Sequence, residues 1–251
     1  MKVTLLGTGT SVPDSSRVQS GVLVQAEDKT LLLDVGSGVL HRLTQTGIDI
    51  TTLDAVFISH FHIDHCSDFL SLCQSLWLAG YDKTLELFAP PTMREWSRGV
   101  HEIAFPYLRE KILVQKTYLS TGDVIPIGPL NVSNCCTTHS AMDTRAIKVE
   151  HQEKSLVFSS DTAPCKDLAE LARGVDLLIH ECNWLDGPHP EGVHTSPSEL
   201  AGVVESSEPK KVVITHMAPE VIAAGEKVRK TVGRRSKAEI ILGEDLLEVT
   251  V

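Results

Sequence analysis

Residues 56–65 read Val-Phe-Ile-Ser-His-Phe-His-Ile-Asp-His, an apolar run that ends in His60, His62, Asp64 and His65. Imidazole and carboxylate groups are metal ligands. With no thiolate among them they favour zinc, with manganese or iron as alternatives. In an extended strand end, His60 and His62 are two apart and project to the same side, so they can grip one ion together. Asp64 and His65 open the helix that follows and aim at a second ion. A plain surface cluster is the competing explanation, and four such residues directly after one buried strand argue against it. The rest of a two-ion site stands at matching places downstream. His139 follows the strand-like Asn131–Thr138 stretch, Asp161 ends the strand begun at Lys154, and His216 ends the one begun at Lys210. The expected arrangement is His60, His62 and His139 on one ion, Asp64, His65 and His216 on the other, and Asp161 bridging. Two Zn²⁺, two aspartates and a hydroxide leave a centre of about +1, which favours an anionic group such as a phosphodiester. Bound to such ions, water becomes a nucleophile at neutral pH.

The elements that must position these residues follow one grammar in both halves of the chain: an apolar strand, then polar punctuation. Lys2–Gly7 runs into a Gly-Thr loop, and 21–38 is a hairpin turning at Glu27-Asp28-Lys29 with Asp34 at its end. From Asp64 to Ala79 the pattern is helical, with His65, Phe69, Leu72 and Leu76 on one face. In the second half, 154–161 is a strand and 164–174 a helix between Pro164 and Gly174. Residues 175–181 form a strand ending at His180-Glu181. A helix then opens at Ser196 with Pro197 first and Glu199 in capping-box spacing. Residues 79–118, which carry Trp96, Phe105 and Tyr107, are expected to line or roof the pocket. No linker divides the halves, so 1–251 is expected to be one domain, with its chemistry along one sheet edge.

Composition narrows the function classes. With 251 residues and 42% hydrophobic content the chain can bury a substantial core. No apolar run approaches the ~18 residues of a membrane span, and the first apolar stretch is too short for a signal-peptide core, so a cytoplasmic protein is expected. The six cysteines form no C-x-x-C pair and read as reduced thiols. A net charge of −10 argues against a broad nucleic-acid surface. The basic cluster from Lys227 to Arg235 reads as a solvated helix face.

His-x-His-x-Asp-His after a strand, followed by His139, Asp161 and His216, resembles the metallo-β-lactamase superfamily over nearly the whole chain. The resemblance implies an α/β fold, an αββα four-layer sandwich of two similar halves, with a dinuclear site at one edge of the sheets. It also implies that Asp34 orients a metal-bound histidine without touching the metal. "LGTGTSVPDSSR" near the start, "SSDT" around Asp161, "IHE" at Glu181 and "HTSPSE" at His194 are similar to ribonuclease Z and its phosphodiesterase relatives. By that resemblance Glu181 polarises His194, which protonates the leaving oxygen, and the catalytic set is Asp64, Glu181 and His194. His180 should point away from Glu181 by strand alternation and receives no role; nor do His41, His101, His151 and His189.

One feature departs from ribonuclease Z. Its tRNA-clamping arm lies between the positions matched here by His139 and Asp161, and only 22 residues cover that step in this chain. With the acidic charge, this disfavours RNA. The leading expectation is a two-zinc phosphodiesterase acting on a small nucleotide-like or alkyl phosphodiester. The rivals are tRNA 3′ processing through a homodimer surface, hydrolysis of a lactam, lactone, thioester or sulfate ester, and a metal-dependent sensor without chemistry.

Overall fold

A computed structural model describes residues 1–251. The first sheet is built from β1 (Lys2–Gly7), β2 (Gly21–Ala26), β3 (Lys29–Leu33), β4 (Ala55–Phe57), β5 (Leu85–Ala89) and β6 (Val114–Tyr118). The second holds β7 (Val124–Ile127), β8 (Leu130–Cys136), β9 (Arg145–His151), β10 (Lys154–Phe158), β11 (Leu177–Glu181), β12 (Lys211–Thr215) and β13 (Glu239–Leu242). The last strand, β14 (Leu247–Thr250), crosses back to pair with β1, giving two seven-stranded sheets. In each sheet antiparallel hairpins pass into parallel strands: β3, β4, β5 and β6 run parallel, as do β10, β11, β12 and β13.

Strand alternation explains the layers. Leu31, Leu33 and Phe57 from the first sheet meet Leu156, Phe158, Leu177, Ile179 and Val213 from the second in a shared core. The intervening residues point outward and bury helices, because both faces of each sheet must be covered. Leu32, Val56 and Ile58 receive α1 (Val39–Gln45) and α3 (Phe69–Leu78), while Met93 of α4 (Met93–Arg98) joins the same cluster. On the other side Val157, Leu178, Val212 and Ile214 receive α5 (Lys166–Leu171), α6 (Pro197–Ser207) and α8 (Gly225–Gly233). Two short helices, α2 (Ile63–Cys66) and α7 (Pro219–Ala223), stand at the cavity described below. The architecture is the αββα sandwich. No helix is long and apolar enough to cross a membrane.

Local differences from the sequence reading have physical causes. The helical stretch expected over 64–79 is two helices, broken at Ser67-Asp68. The carbonyl of Asp64 accepts from Ser20 N, that of His65 from Val35 N, and Asp68 N donates to the Val35 carbonyl. Those long-range bonds replace the i→i−4 ladder there. The Asp68 carboxylate then accepts from Gly38 N and Leu40 N, tying down the start of α1. Strands β4 and β10 stop at Phe57 and Phe158, so His60 and Asp161 lie three residues past them, in loops rather than strand ends. His60 and His62 therefore reach one locus from beyond the strand, not by strand alternation. The helix expected from Pro164 begins at Lys166. The capping box at Ser196 and Glu199 forms as expected, with Pro197 as first residue.

Candidate metal centre

The loops after β4, β8, β10 and β12 open on the same end of the sandwich and deliver every ligand-type residue to one place. The donor atoms of His60, His62, His139 and Asp161 lie within 4.8 Å of one another, and so do those of Asp64, His65 and His216. His60 Nε2 and His139 Nε2 are each 3.1 Å from His62 Nδ1. Asp161 stands between the groups. Its Oδ2 is 4.0 Å from His60 Nε2 and 3.7 Å from His139 Nε2, while its Oδ1 is 3.3 Å from His65 Nε2 and 3.5 Å from His216 Nε2. One oxygen per group is what a bridging carboxylate requires.

The donors fit a pair of cations. His65 Nε2 and Asp161 Oδ1 are buried with no hydrogen-bond partner. Leaving a buried polar atom unpaired costs ~1–3 kcal/mol, and a cation between them would remove that penalty. In three of the rings, His60, His65 and His139, the other nitrogen is already committed. His65 Nδ1 donates to Asp34 Oδ2 at 2.7 Å, and His139 Nδ1 donates to the Val193 carbonyl at 2.7 Å. His60 Nδ1 lies 3.1 Å from Ser59 Oγ, which itself donates to Asp34 Oδ2 at 2.9 Å and accepts from Ser160 Oγ at 2.6 Å. Asp34 thus orients one ring in each group, directly for His65 and through Ser59 for His60, turning both Nε2 atoms toward the place a cation would take.

Local backbone strain aims these residues. Asp34, Ser160 and His216 take left-handed φ values of 59°, 54° and 48° at or just past the ends of β3, β10 and β12. A non-glycine residue there costs roughly 1–2 kcal/mol, and such strain persists where surrounding bonds over-determine it. Gly36 has a steric reason instead: a Cβ at that position would come within 2.0 Å of the Asp64 carbonyl oxygen.

The electrostatics divide the ligands. Burial holds His60 well below the usual imidazole value, with His65 adding to the effect, and burial lowers His62 and His139 too. Burial also works against a charged His65, but the carboxylates of Asp161 and Asp34 outweigh it and raise that ring well above the usual value. Burial opposes ionisation of Asp161 and Asp64, and the surrounding histidines win in both cases, His216 and His65 foremost. Without metal, the His65 ring is therefore held protonated between Asp161 and Asp34, while His60, His62 and His139 are pushed toward the neutral form.

Beside it lies a second dyad. His194 Nδ1 is 2.7 Å from Glu181 Oε1. Glu181 is fully buried and also accepts from the backbone N–H groups of Thr162, Asn183 and Thr195 at 2.8, 3.1 and 3.3 Å. Four donors on two oxygens fix that carboxylate rigidly. Burial, then the charge of Asp161, pushes Glu181 up, against the backbone donors; burial pushes His194 down. One proton lies along their short contact. Alternation accounts for the placement: Leu177 and Ile179 face the shared core, so Glu181 faces it too, whereas His180 turns to the helix side.

The family model described as anti-Pycsar protein Apyc1 matches residues 1–232. A ribonuclease Z of Mycobacterium sp. (strain KMS) is 30% identical over an alignment covering 100% of this chain and 96% of that protein. The chain belongs to this ribonuclease Z-like family of the metallo-β-lactamase superfamily. Solved structures agree on the fold. The metallo-β-lactamase fold protein YhfI from Bacillus subtilis superposes with a TM-score of 0.86 at 23% identity, covering 99% of this chain and 98% of that one. Zn²⁺-bound PqqB from Methylobacterium extorquens does so with a TM-score of 0.77 at 17% identity, covering 100% of both.

The cavity over the centre has a volume of about 590 Å³, and its walls differ from those the sequence suggests. Residues 79–118 do not line it; the walls come from Thr10–Val12, Asn183–Trp184, Val193–His194 and Ala218–Glu220. Trp96 instead packs on Phe61 and Phe69 with ring centroids 4.9 and 5.5 Å apart, as an ordinary amphipathic helix would, and Tyr107 bonds Gln74. The step from His139 to Asp161 holds the β9–β10 hairpin. Ser59, Ser160 and the Val193 carbonyl complete the site beyond the residues expected from the sequence. For Ser59 a signal existed, since it directly precedes the first histidine; for a backbone carbonyl there is none.

Proposed function

We propose that this chain is a dinuclear-zinc phosphodiesterase acting on a small nucleotide-like or alkyl phosphodiester. The observation that carries the reading is Asp161, one carboxylate with each oxygen turned to a different histidine group, beside a histidine locked on a buried glutamate. His60, His62, His139 and Asp161 would hold one ion; Asp64, His65, His216 and Asp161 the other. Such ions supply Lewis acidity and a hydroxide at neutral pH. The chain's own residues do the rest. Asp34 and Ser59 hold ligand rings at fixed angles, so little reorganisation is needed when charge develops at phosphorus. His194 lines the same cavity as Asp64 and Asp161, where its Nε2 can hand a proton to the leaving oxygen. Glu181 keeps the other nitrogen engaged and stabilises the cationic form of the ring. A phosphodiester's leaving alkoxide needs that proton, which favours this bond over a thioester or an activated lactam.

Tests are direct. The purified protein should carry close to two equivalents of zinc by elemental analysis and hydrolyse bis-(p-nitrophenyl) phosphate. A labelled pre-tRNA assayed beside it should be cut much more slowly, because the chain is acidic and has only a hairpin where a clamping arm would stand. Efficient tRNA 3′ cleavage would replace the small-substrate reading with the processing one. Turnover confined to lactone, lactam, thioester or sulfate ester would move the chemistry to another bond. A metal-loaded protein inert to the whole panel would be a sensor.

A further inference from the structure

Two large apolar side chains stand in water at the mouth of the cavity. Ile63 is 71% exposed and Val12 is 56% exposed, and both line the cavity. Scattered exposed aliphatics need no explanation, but a pair beside the reacting centre does. Their positions are fixed by the residues around them. Ile63 lies between His62 and Asp64 on α2, whose next three residues are buried, so Ile63 takes the outward side. Val12 is held by its own N–H, which donates to Thr10 Oγ1 at 3.2 Å.

The cavity's charge says what it cannot hold. No lysine or arginine lines it, and Glu220 is on its wall. Arg17 is committed elsewhere, donating to Thr8 Oγ1 and to the Gly243 carbonyl at 2.5 and 2.6 Å. Besides the metals, nothing there offers a cation to a second phosphate, and a chain of net charge −10 repels one. The wall also carries the Trp184 indole, beside His194 with ring centroids 5.3 Å apart.

We propose that Val12 and Ile63 form an apolar clamp for the uncharged part of a substrate carrying a single phosphate group. They set specificity for a planar or aliphatic substituent, and the cavity discriminates against molecules with further phosphates. This rests on the phosphodiesterase reading for its biological meaning, but the clamp is measurable by binding alone.

Calorimetric titrations of the zinc-loaded protein with phenyl phosphate, methyl phosphate and 1,4-phenylene bisphosphate test it. Phenyl phosphate should bind at least about tenfold tighter than methyl phosphate, the worth of partly burying two aliphatic side chains. In the Val12→Ser/Ile63→Ser double variant that ratio should fall below about threefold, and Val12→Leu/Ile63→Leu should restore it. The bisphosphate should bind more weakly than phenyl phosphate. Equal wild-type affinities for the two monophosphates, a ratio untouched by the serines, or a tighter bisphosphate would overturn the clamp. Turnover of bis-(p-nitrophenyl) phosphate is measured in parallel. No turnover with an intact binding preference sinks the phosphodiesterase reading alone; turnover without a preference sinks the clamp alone.

Discussion

Asp161 and His194 make opposite demands on the same cavity, and single substitutions separate them. Asp161 turns one oxygen to each histidine group, and its donor atom also lies within 4.8 Å of those of His194 and His216. Asp161→Ala should abolish activity and remove metal together, read by elemental analysis of the purified variant. His194 touches the centre more loosely, with its Nδ1 4.0 Å from Asp161 Oδ2 and committed to Glu181. His194→Ala should keep both metals and slow turnover by roughly 10²–10⁴; metal loss there would assign His194 to the ligands instead. Glu181→Gln keeps the size of the side chain and removes its charge. A carboxylate beside an imidazole favours the protonated ring, so its loss lowers the pKa of His194. On the proposed mechanism the protonated ring is the working form, so the alkaline limb of the kcat profile should move to lower pH. A limb that stays in place would mean that Glu181 only positions the ring.

At the scale of elements, the strands and helices were legible because their hydrophobic periods are clean and their punctuation explicit. Pro197 with the Ser196–Glu199 box and the run ending at Glu181 are examples. The breaks were not legible. The interruption at Ser67-Asp68 and the early stops of β4 and β10 are made by bonds to Ser20, Val35 and other distant groups, which no local pattern encodes. The ligands could still be picked out because residue type and order survive such shifts; the cavity walls could not, since they depend on which loops meet. One element end carries a liability of its own. Glu208 caps α6 in the left-handed region, at φ 50° and ψ 48°. It also sets a carboxylate at the negative end of the helix dipole. Glu208→Gly should stabilise the fold by about 1 kcal/mol, raising Tm by roughly 2–4 °C. An unchanged or lowered Tm would show that Glu208 makes a compensating contact.

At the scale of the molecule, the centre joins the two sheets: His60, His62, Asp64 and His65 follow a strand of the first, and His139, Asp161 and His216 follow strands of the second. Metal binding should therefore stabilise the whole sandwich, by about 2.7 kcal/mol for one site at a hundred times its Kd. That is a rise in Tm of roughly 5–10 °C over the chelated protein. The pH dependence of this difference follows from His65. In the metal-free protein its pKa is raised well above the usual 6.5, so the ring is protonated at neutral pH and adds stability below 6.5 that is lost as pH climbs through the raised value. Burial lowers His60, His62 and His139, so the charge that metal entry must displace is the one on His65. Asp64 and Asp161 are depressed; the stability they contribute is present at neutral pH and lost only in acid, so they do not enter between pH 6 and 8. Displacing one proton strengthens metal binding by about 1.4 kcal/mol per pH unit. Scanning calorimetry at fixed free zinc from pH 6 to 8 should show the gap between loaded and chelated protein widening by roughly 3–5 °C per unit. A gap that stays flat would mean that His65 is neutral before the metal arrives, and that Asp34 and Asp161 do not hold a proton in the ion's place.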